Sequence, residues 1–287
     1  MTRPHISFEF FPPKAGSAEA DFWTALERLG ALQPDFISLT YGASGSDRSR
    51  SDDLVPRLQA RAAAPLAAHI TAVGATRDEI ARRVSTWAAA GVHRLVALRG
   101  DAPDADGRFR PHPAGYRSGA DLVAGLKRLG DFEIAVGCYP ECHPDSSSPE
   151  ADLENLKRKA DAGADLAITQ YFFEAETFLR FRDRAAAAGI ALPIAAGIMP
   201  VFSYRKVAAF SARCGTRVPT WLGARFEGLE RDPATHDLVA AGTATALCQQ
   251  LRAEGVDRFH FYTLNRAGLS DAVCRSLDLR PEIKKAA

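Results

Sequence analysis

The stretch AAAGVHRLVALRG, residues 88–100, reads as the last turn of a helix, a glycine, and then a strand. Alanine is the strongest helix former, and a glycine just past a helix accepts the left-handed conformation that ends it. LVAL, residues 95–98, has no polar alternation. A strand apolar on both faces belongs in a parallel sheet covered on both sides. The same junction recurs as LGALQPDFISLT (29–40), LGDFEIAVGCY (129–139), DAGADLAITQYF (161–172), AAGIALPIAAGI (187–198) and AEGVDRFHFYT (253–263). Gly30, Gly91, Gly130, Gly163, Gly189 and Gly255 are expected to supply the left-handed helix ends.

Working outward, strands are expected near residues 5–11, 35–40, 66–71, 93–98, 133–138, 165–170, 192–197 and 257–263. Eight strands alternating with helices predict a closed (β/α)8 TIM barrel of the α/β class, as a single domain over residues 1–287. The segment between the seventh and eighth strands is enlarged, with a helix near 203–214, a turn at VPTW (218–221) and a helix near 234–254. An open doubly wound sheet is the competing architecture. Neither a P-loop nor a glycine-rich dinucleotide fingerprint follows the first strand, and GASGSD (42–47) has the wrong glycine spacing for either.

Hydrophobic residues make up 46% of the chain and charged residues 25%, an ordinary globular balance that supports a core without disulfides or metals. Basic and acidic residues number 36 and 35, so the chain carries no electrostatic footprint for nucleic acid or an anionic membrane. The amino-terminal run MTRPHISFEF passes from polar residues straight into a strand, and no apolar run is long enough to span a bilayer. A soluble, cytoplasmic protein is expected. Five cysteines, an odd number in apolar or helical contexts, read as reduced thiols. CYPECH (138–143) lacks the second ligand pair of a zinc site, so no metal is expected.

Barrel enzymes carry their chemistry where strands end, and here nearly every strand ends on a polar group. Glu9 ends the first, Thr40 with Tyr41 the second, His69 and Thr71 the third, Arg99 and Asp101 the fourth. Tyr139 and His143 follow the fifth, Gln170 ends the sixth, and Tyr262 and Arg266 close the eighth. Each has a bland reading alone: a core histidine, a ring sealing the mouth, a local ion pair. Their convergence on one rim favours a site. In SFEFFPPK (7–14), Glu9 must face away from Phe8 and Phe10, and Pro12 stops the strand just beyond it. Phe11 then joins Glu9 on its face, and Phe8, Phe10 and Phe11 could give it an apolar setting, which favours a protonated carboxyl. In ADLENLKRKADAG (151–163), Asp152, Asn155 and Lys159 share a helical face, with Lys157 and Arg158 extending the positive charge towards a phosphate reaching in from the rim.

SFEFFPPK, SLTYGA, HITA, ALRGD, YPECHP, NLKRKADAGAD, ITQYFF, GIMPV and FHFYTLNRA occur in the order and approximate spacing of bacterial methylenetetrahydrofolate reductases, and the chain resembles that family from about residue 6 to 281. SFEFFPP, ITQYFF and FYTLNR are its specific motifs; ALRGD alone is weak. The resemblance implies an FAD-dependent barrel that reduces 5,10-methylenetetrahydrofolate to 5-methyltetrahydrofolate with NADH or NADPH in a ping-pong cycle, and a homo-oligomer. It implies Glu9 as general acid and Asp101 as a residue acting near flavin and folate. Gln170, Phe210, Tyr262 and Arg266 match substrate positions. Thr40, His69, Arg99, Gly100, Asp101, Tyr139, His143, Asp152, Asn155, Arg158, Lys159 and Leu264 match FAD positions. A folate-binding one-carbon transferase without redox chemistry is the alternative on the same barrel. Two departures stand out: Ser118 and Gly119 where many relatives carry an aromatic residue followed by alanine near the flavin, with Tyr116 close by, and Lys206 where some carry glutamine near the folate.

Overall fold

The computed structural model describes residues 3–13, 16–41, 48–100 and 109–280. Eight parallel strands, β1 (His5–Phe10), β2 (Phe36–Leu39), β3 (Leu66–Thr71), β4 (Arg94–Leu98), β5 (Glu133–Cys138), β6 (Leu166–Thr169), β7 (Ile194–Ile198) and β8 (Arg258–Tyr262), close in sequence order. β1 pairs with both β2 and β8, which completes the cylinder. The expected (β/α)8 barrel is the one observed, each strand lying within two or three residues of its expected place.

Helices α1 (Ser17–Gly30), α2 (Arg48–Arg61), α3 (Arg77–Ala89), α4 (Gly119–Leu129), α5 (Pro149–Asp161) and α6 (Ala175–Ala187) alternate with the strands and cover their outer face. Phe8, Phe10, Ile37, Leu39, Leu95 and Phe261 point outward into this layer and are buried. Local signals start several helices. Thr76 and Glu79 form a reciprocal capping box before α3, Ser118 caps α4 through Asp121 N, and Ser148 with Pro149 opens α5. After β7 come α7 (Tyr204–Cys214), α8 (Thr220–Phe226) and α9 (Pro233–Ala253), and after β8 comes α10 (Ala267–Ser276). The enlarged segment is therefore present, but the expected turn at VPTW is the start of α8. Pro219 takes an extended conformation suited to a helix N-cap, and Leu222 and Phe226 bury themselves against Met199, Val201 and Val207.

Two of the six expected helix-ending glycines behave differently. Gly91, Gly163, Gly189 and Gly255 have positive φ, whereas Gly130 is extended and α1 runs through Gly30, the left-handed residue beyond it being Gln33 at φ 52°. At Gly130 the close approach is the Phe132 ring, 3.0 Å from where a Cβ would sit.

Candidate active site at the barrel mouth

Alternation along the strands fills the barrel in rungs. The lowest is apolar: Phe36, Ala67, Val96, Ala135, Ile168 and Ala195 pack against one another. Above it, and on β1 and β8, the character changes. Ser7 lies opposite His260 and Glu9 opposite Tyr262 across β1 and β8, while Ser38 lies opposite Glu9 across β1 and β2. Glu9 sends its side chain inward and keeps it 12% exposed. Its Oε2 lies 3.6 Å from His69 Nε2 and 3.8 Å from His260 Nε2. The setting expected from the phenylalanines is corrected here: Phe8 and Phe10 occupy the outer face, and the neighbours of the carboxylate are two imidazoles. Strand alternation requires this, because an inward Glu9 excludes its immediate neighbours from the same face.

His69 is buried, and burial pushes its pKa down to about 4, against the opposing pull of Glu9. Its ring is therefore neutral near pH 7. Its Nε2 has no hydrogen-bond partner, nor have His260 Nε2, Ser38 Oγ and Thr40 Oγ1. These are four of the six such buried atoms among the described residues, and all four lie on β2, β3 or β8 or at their ends. Buried polar atoms are nearly always paired, so such a cluster marks where a ligand or water belongs.

The turn after β8 clamps the exit of β1. Thr263 Oγ1 donates to Glu9 O at 2.6 Å. Asn265 receives the Phe11 amide at 2.8 Å and donates back to the Phe11 carbonyl at 2.9 Å. Leu264 and Asn265 both hold positive φ, 50° and 59°, a conformation that costs a leucine about 1–3 kcal/mol and persists only where contacts enforce it. Leu264 is half-buried, and Arg266, exposed, lies 5.4 Å from the Phe202 ring. Reading the sequence for strand-end residues overlooked Ser7, Ser38, His260, Thr263 and Asn265. Inward alternation from Glu9 and Tyr262 could have found Ser7 and His260; the clamp by Asn265 had no signal beyond the FYTLNR motif.

On the β6–β7 side, Tyr171 stacks on Phe210 at 6.1 Å and bonds Ser211 Oγ at 2.9 Å. Phe210 is half-buried. Gln170 turns its carboxamide oxygen to the Tyr171 amide, 3.0 Å away. Tyr262 donates its hydroxyl to Thr169 O at 2.7 Å, so its hydroxyl is committed to the backbone and its ring forms the wall. Gly197 makes room for this: a Cβ there would meet Thr169 O at 2.2 Å and the Tyr262 ring at 2.8 Å.

On the β4–β5 side, Arg99 pairs with Asp145 and lies over Phe109. Gly100 holds φ 86° with Val73 2.4 Å from a would-be Cβ, so no side chain fits there. Asp101 lies outside the described residues. Tyr139 meets His143 edge-on at 4.6 Å, the His143 amide donates to Asp152 at 2.5 Å, and Lys159 donates to Gly137 O at 2.7 Å. Burial pushes the Lys159 pKa down, and burial with the nearby Arg99 charge lowers that of His143. Asn155 is half-buried and Arg158 exposed on the same helix. Thus Tyr139, His143, Asp152 and Lys159 are brought together. Tyr116 is buried against Gly125 of α4 and beneath Arg77. Ser118 is a helix cap, while Gly119 lies beside Lys159, whose Cε is 3.2 Å from a would-be Cβ. Lys206 is exposed on α7.

A groove of about 530 Å³ runs elsewhere, between α6, α8 and α9, lined by Leu179, Trp221 and Arg225, and none of the strand-end residues borders it. Among the described residues all five cysteines are free, no cluster of three or more His, Cys, Asp or Glu side chains could hold a metal ion, and no helix is long and apolar enough to cross a membrane.

Residues 1–278 match the family described as methylenetetrahydrofolate reductase. The chain is 43% identical to the 5,10-methylenetetrahydrofolate reductase of Pectobacterium carotovorum subsp. carotovorum, covering 99% of this chain and 93% of that one. It is 44% identical to the protein of the same name from Salmonella typhimurium, over 96% and 92%. Among solved structures, a Clostridium thermocellum protein that binds two copies of 5-methyl-5,6,7,8-tetrahydrofolic acid superposes with a TM-score of 0.65 at 15% identity, covering 96% of this chain and 95% of that one, a likeness of fold. With the match running through the strands that carry Glu9, Gln170 and Tyr262, this chain belongs to the methylenetetrahydrofolate reductase family.

Proposed function

We propose that the chain reduces 5,10-methylenetetrahydrofolate to 5-methyltetrahydrofolate with NADH or NADPH as electron donor, in a ping-pong cycle through bound FAD, as a cytoplasmic homo-oligomer. The observation that carries the reading is Glu9, an inward carboxyl group at a barrel mouth, 12% exposed and flanked by two imidazoles. Such a group, largely screened from bulk water, is placed to deliver a proton to a ring nitrogen of the folate. Protonation weakens the carbon–nitrogen bond of the five-membered ring, the bond breaks, and the carbon left as an iminium accepts hydride to become the methyl group.

The residues present suit FAD. Thr40 Oγ1 and His69 Nε2 are buried and unpartnered, as groups awaiting a bound partner are. Arg99, Arg158 and Lys159 offer cations to a pyrophosphate, and Asp152 and Asn155 offer acceptors and donors to hydroxyls. Gly100, Tyr139, His143 and Leu264 complete the proposed cofactor wall. What FAD supplies when bound is acceptance of hydride from the nicotinamide and its delivery to the folate. The chain's part is to orient both partners: Gln170 and Arg266 by polar contact, Phe210 and Tyr262 by their rings, and Asp101 by its charge near flavin and folate.

Anaerobic half-reactions test this. Nicotinamide should bleach the flavin of the yellow protein, and methylenetetrahydrofolate should restore it. In Glu9→Gln the bleaching should persist while the folate step slows by about 10²–10⁴-fold, the usual worth of a positioned proton donor. A folate step that keeps its wild-type rate in that variant defeats the assignment.

A further inference from the structure

We propose that Tyr171 is a positioning residue: its hydroxyl latches α7 to the exit of β6 and so sets the place of the Phe210 ring at the barrel mouth. The inference rests on the reading of Phe210 as a ring against which folate and nicotinamide pack, and deepens it. Its ground is how little else holds α7. Of the eleven residues of this helix only Val207 and Ser211 are buried, and its N-cap residue Ser203 makes no side-chain bond to the helix. Val207 enters an apolar cluster with Met199, Val201 and Leu222. Apolar burial is non-directional, so that contact keeps the helix on the barrel without fixing its rotation. The hydroxyl of Ser211, fully buried, shares a hydrogen bond of 2.9 Å with that of Tyr171. Thr216, just past the left-handed Gly215, donates its hydroxyl to Tyr171 O at 3.2 Å and its amide to Ser211 O at 3.0 Å. Side chain and main chain of one tyrosine therefore both hold the carboxy-terminal end of α7.

Phe210 is the residue next to Ser211, so the bond that fixes the rotation of α7 also aims this ring. One face of the half-buried ring lies on Tyr171, with centroids 6.1 Å apart and planes 18° from parallel, and the Arg213 guanidinium stands 5.4 Å from it. Tyr171 meets Tyr262 edge-on at 6.1 Å as well, so one ring, itself 2% exposed, joins the two rings read as substrate contacts. A phenylalanine and an alanine in place of Tyr171 and Ser211 would fill nearly the same space, and replacing both partners of a buried hydrogen bond by apolar groups costs a fold little. What the pair adds is direction, because a hydrogen bond holds only over a narrow range of distance and angle.

The test uses FAD-loaded enzyme and readouts with and without turnover. Tyr171→Phe keeps the ring and removes the hydroxyl. It should raise KM for methylenetetrahydrofolate and for the nicotinamide by about three- to tenfold while kcat changes less than about twofold, the mark of a surface that binds ground and transition states alike. Calorimetric titration of the oxidised enzyme with 5-methyltetrahydrofolate should show the same loss of affinity. Ser211→Ala should reproduce it, and the double variant should lose no more than either single one, since each removes the same bond. In a Phe210→Ala background Tyr171→Phe should change neither KM further, because its effect passes through that ring. Amide hydrogen exchange should rise over the last turns of α7 in Tyr171→Phe and stay unchanged over β5 and β6. If Tyr171→Phe does not fold, Ser211→Ala carries every measurement. Unchanged affinity in the variant measured, or an effect that adds in full to that of Phe210→Ala, overturns the inference. Failure of the underlying reading looks different: Phe210→Ala itself would then bind both substrates as the wild type does.

Discussion

The floor and the mouth of this barrel are built from the same strands, one pleat apart, and they obey opposite rules. On the floor, Phe36, Ala67, Val96, Ala135, Ile168 and Ala195 form a dry apolar layer. Two residues further along each strand stand Ser38, His69, Leu98, Gly137, Gln170 and Gly197. Apart from Leu98, polar groups and missing side chains have replaced the filling. The floor leaves nothing unsatisfied, whereas the mouth holds four buried polar atoms without partners. The lower layer fills the barrel with apolar side chains, whereas the upper layer has given up packing and hydrogen bonding. Stability and function are thus separated by about one pleat, and substitutions can test how sharply.

The largest effect is expected on the floor. Phe36 is 5% exposed and is the bulkiest member of its layer. Phe36→Ala should lower unfolding free energy by about 3–5 kcal/mol, from lost burial plus the cavity left behind, and should do so with or without ligands. Urea unfolding measures it. A loss of under about 1 kcal/mol would mean that this layer does not hold the barrel together from below.

The mouth should show its character in acid. His69 is buried with a pKa lowered to about 4 from an ordinary 6.5, and Glu9 and His260 are the charged or titratable groups that act on it. Between those values the unfolded chain binds a proton that the folded one refuses. Stability is therefore fully present above pH 6.5 and is lost as pH falls towards 4, by roughly 3 kcal/mol at the limit. Unfolding midpoints of wild type and His69→Gln across pH 7 to 4 should diverge, the variant losing less. Parallel curves would mean that the ring is hydrated and protonates freely in the folded state.

How much of this contrast could be read beforehand follows from the same alternation. The strands and the barrel were legible because LVAL, LAIT and the glycine junctions are local signals, repeated along the chain. The rim residues Glu9, Gln170 and Tyr262 were legible because each is a polar group at a strand end. What the sequence did not give up is pairing across distance. That Ser7 and His260, separated by 253 positions, share a hydrogen bond depends on how β1 and β8 close the cylinder. The setting of Glu9 was misjudged for the related reason that the imidazoles flanking it come from β3 and β8, distant in sequence. Tyr262 was correctly placed at the mouth, but the direction of its hydroxyl depends on a backbone carbonyl of β6 and the absence of a side chain at Gly197.

The smallest expected effect is also the one whose sign separates the two layers. Ser38 sits two residues beyond Phe36 on β2, buried, opposite Glu9, with a hydroxyl that has no partner. Burying that hydroxyl unpaired costs the folded state, and the methyl group left by Ser38→Ala occupies nearly the same volume without the cost. The ligand-free variant should therefore be more stable than wild type, by up to about 1 kcal/mol in urea unfolding, where Phe36→Ala is far less stable. In exchange it should hold folate or FAD more weakly, measured by titration of the purified protein, if the hydroxyl waits for a bound group. A loss of stability on removing it would mean that the mouth is packed and satisfied like the floor, and the contrast between the layers would then be one of residue type alone.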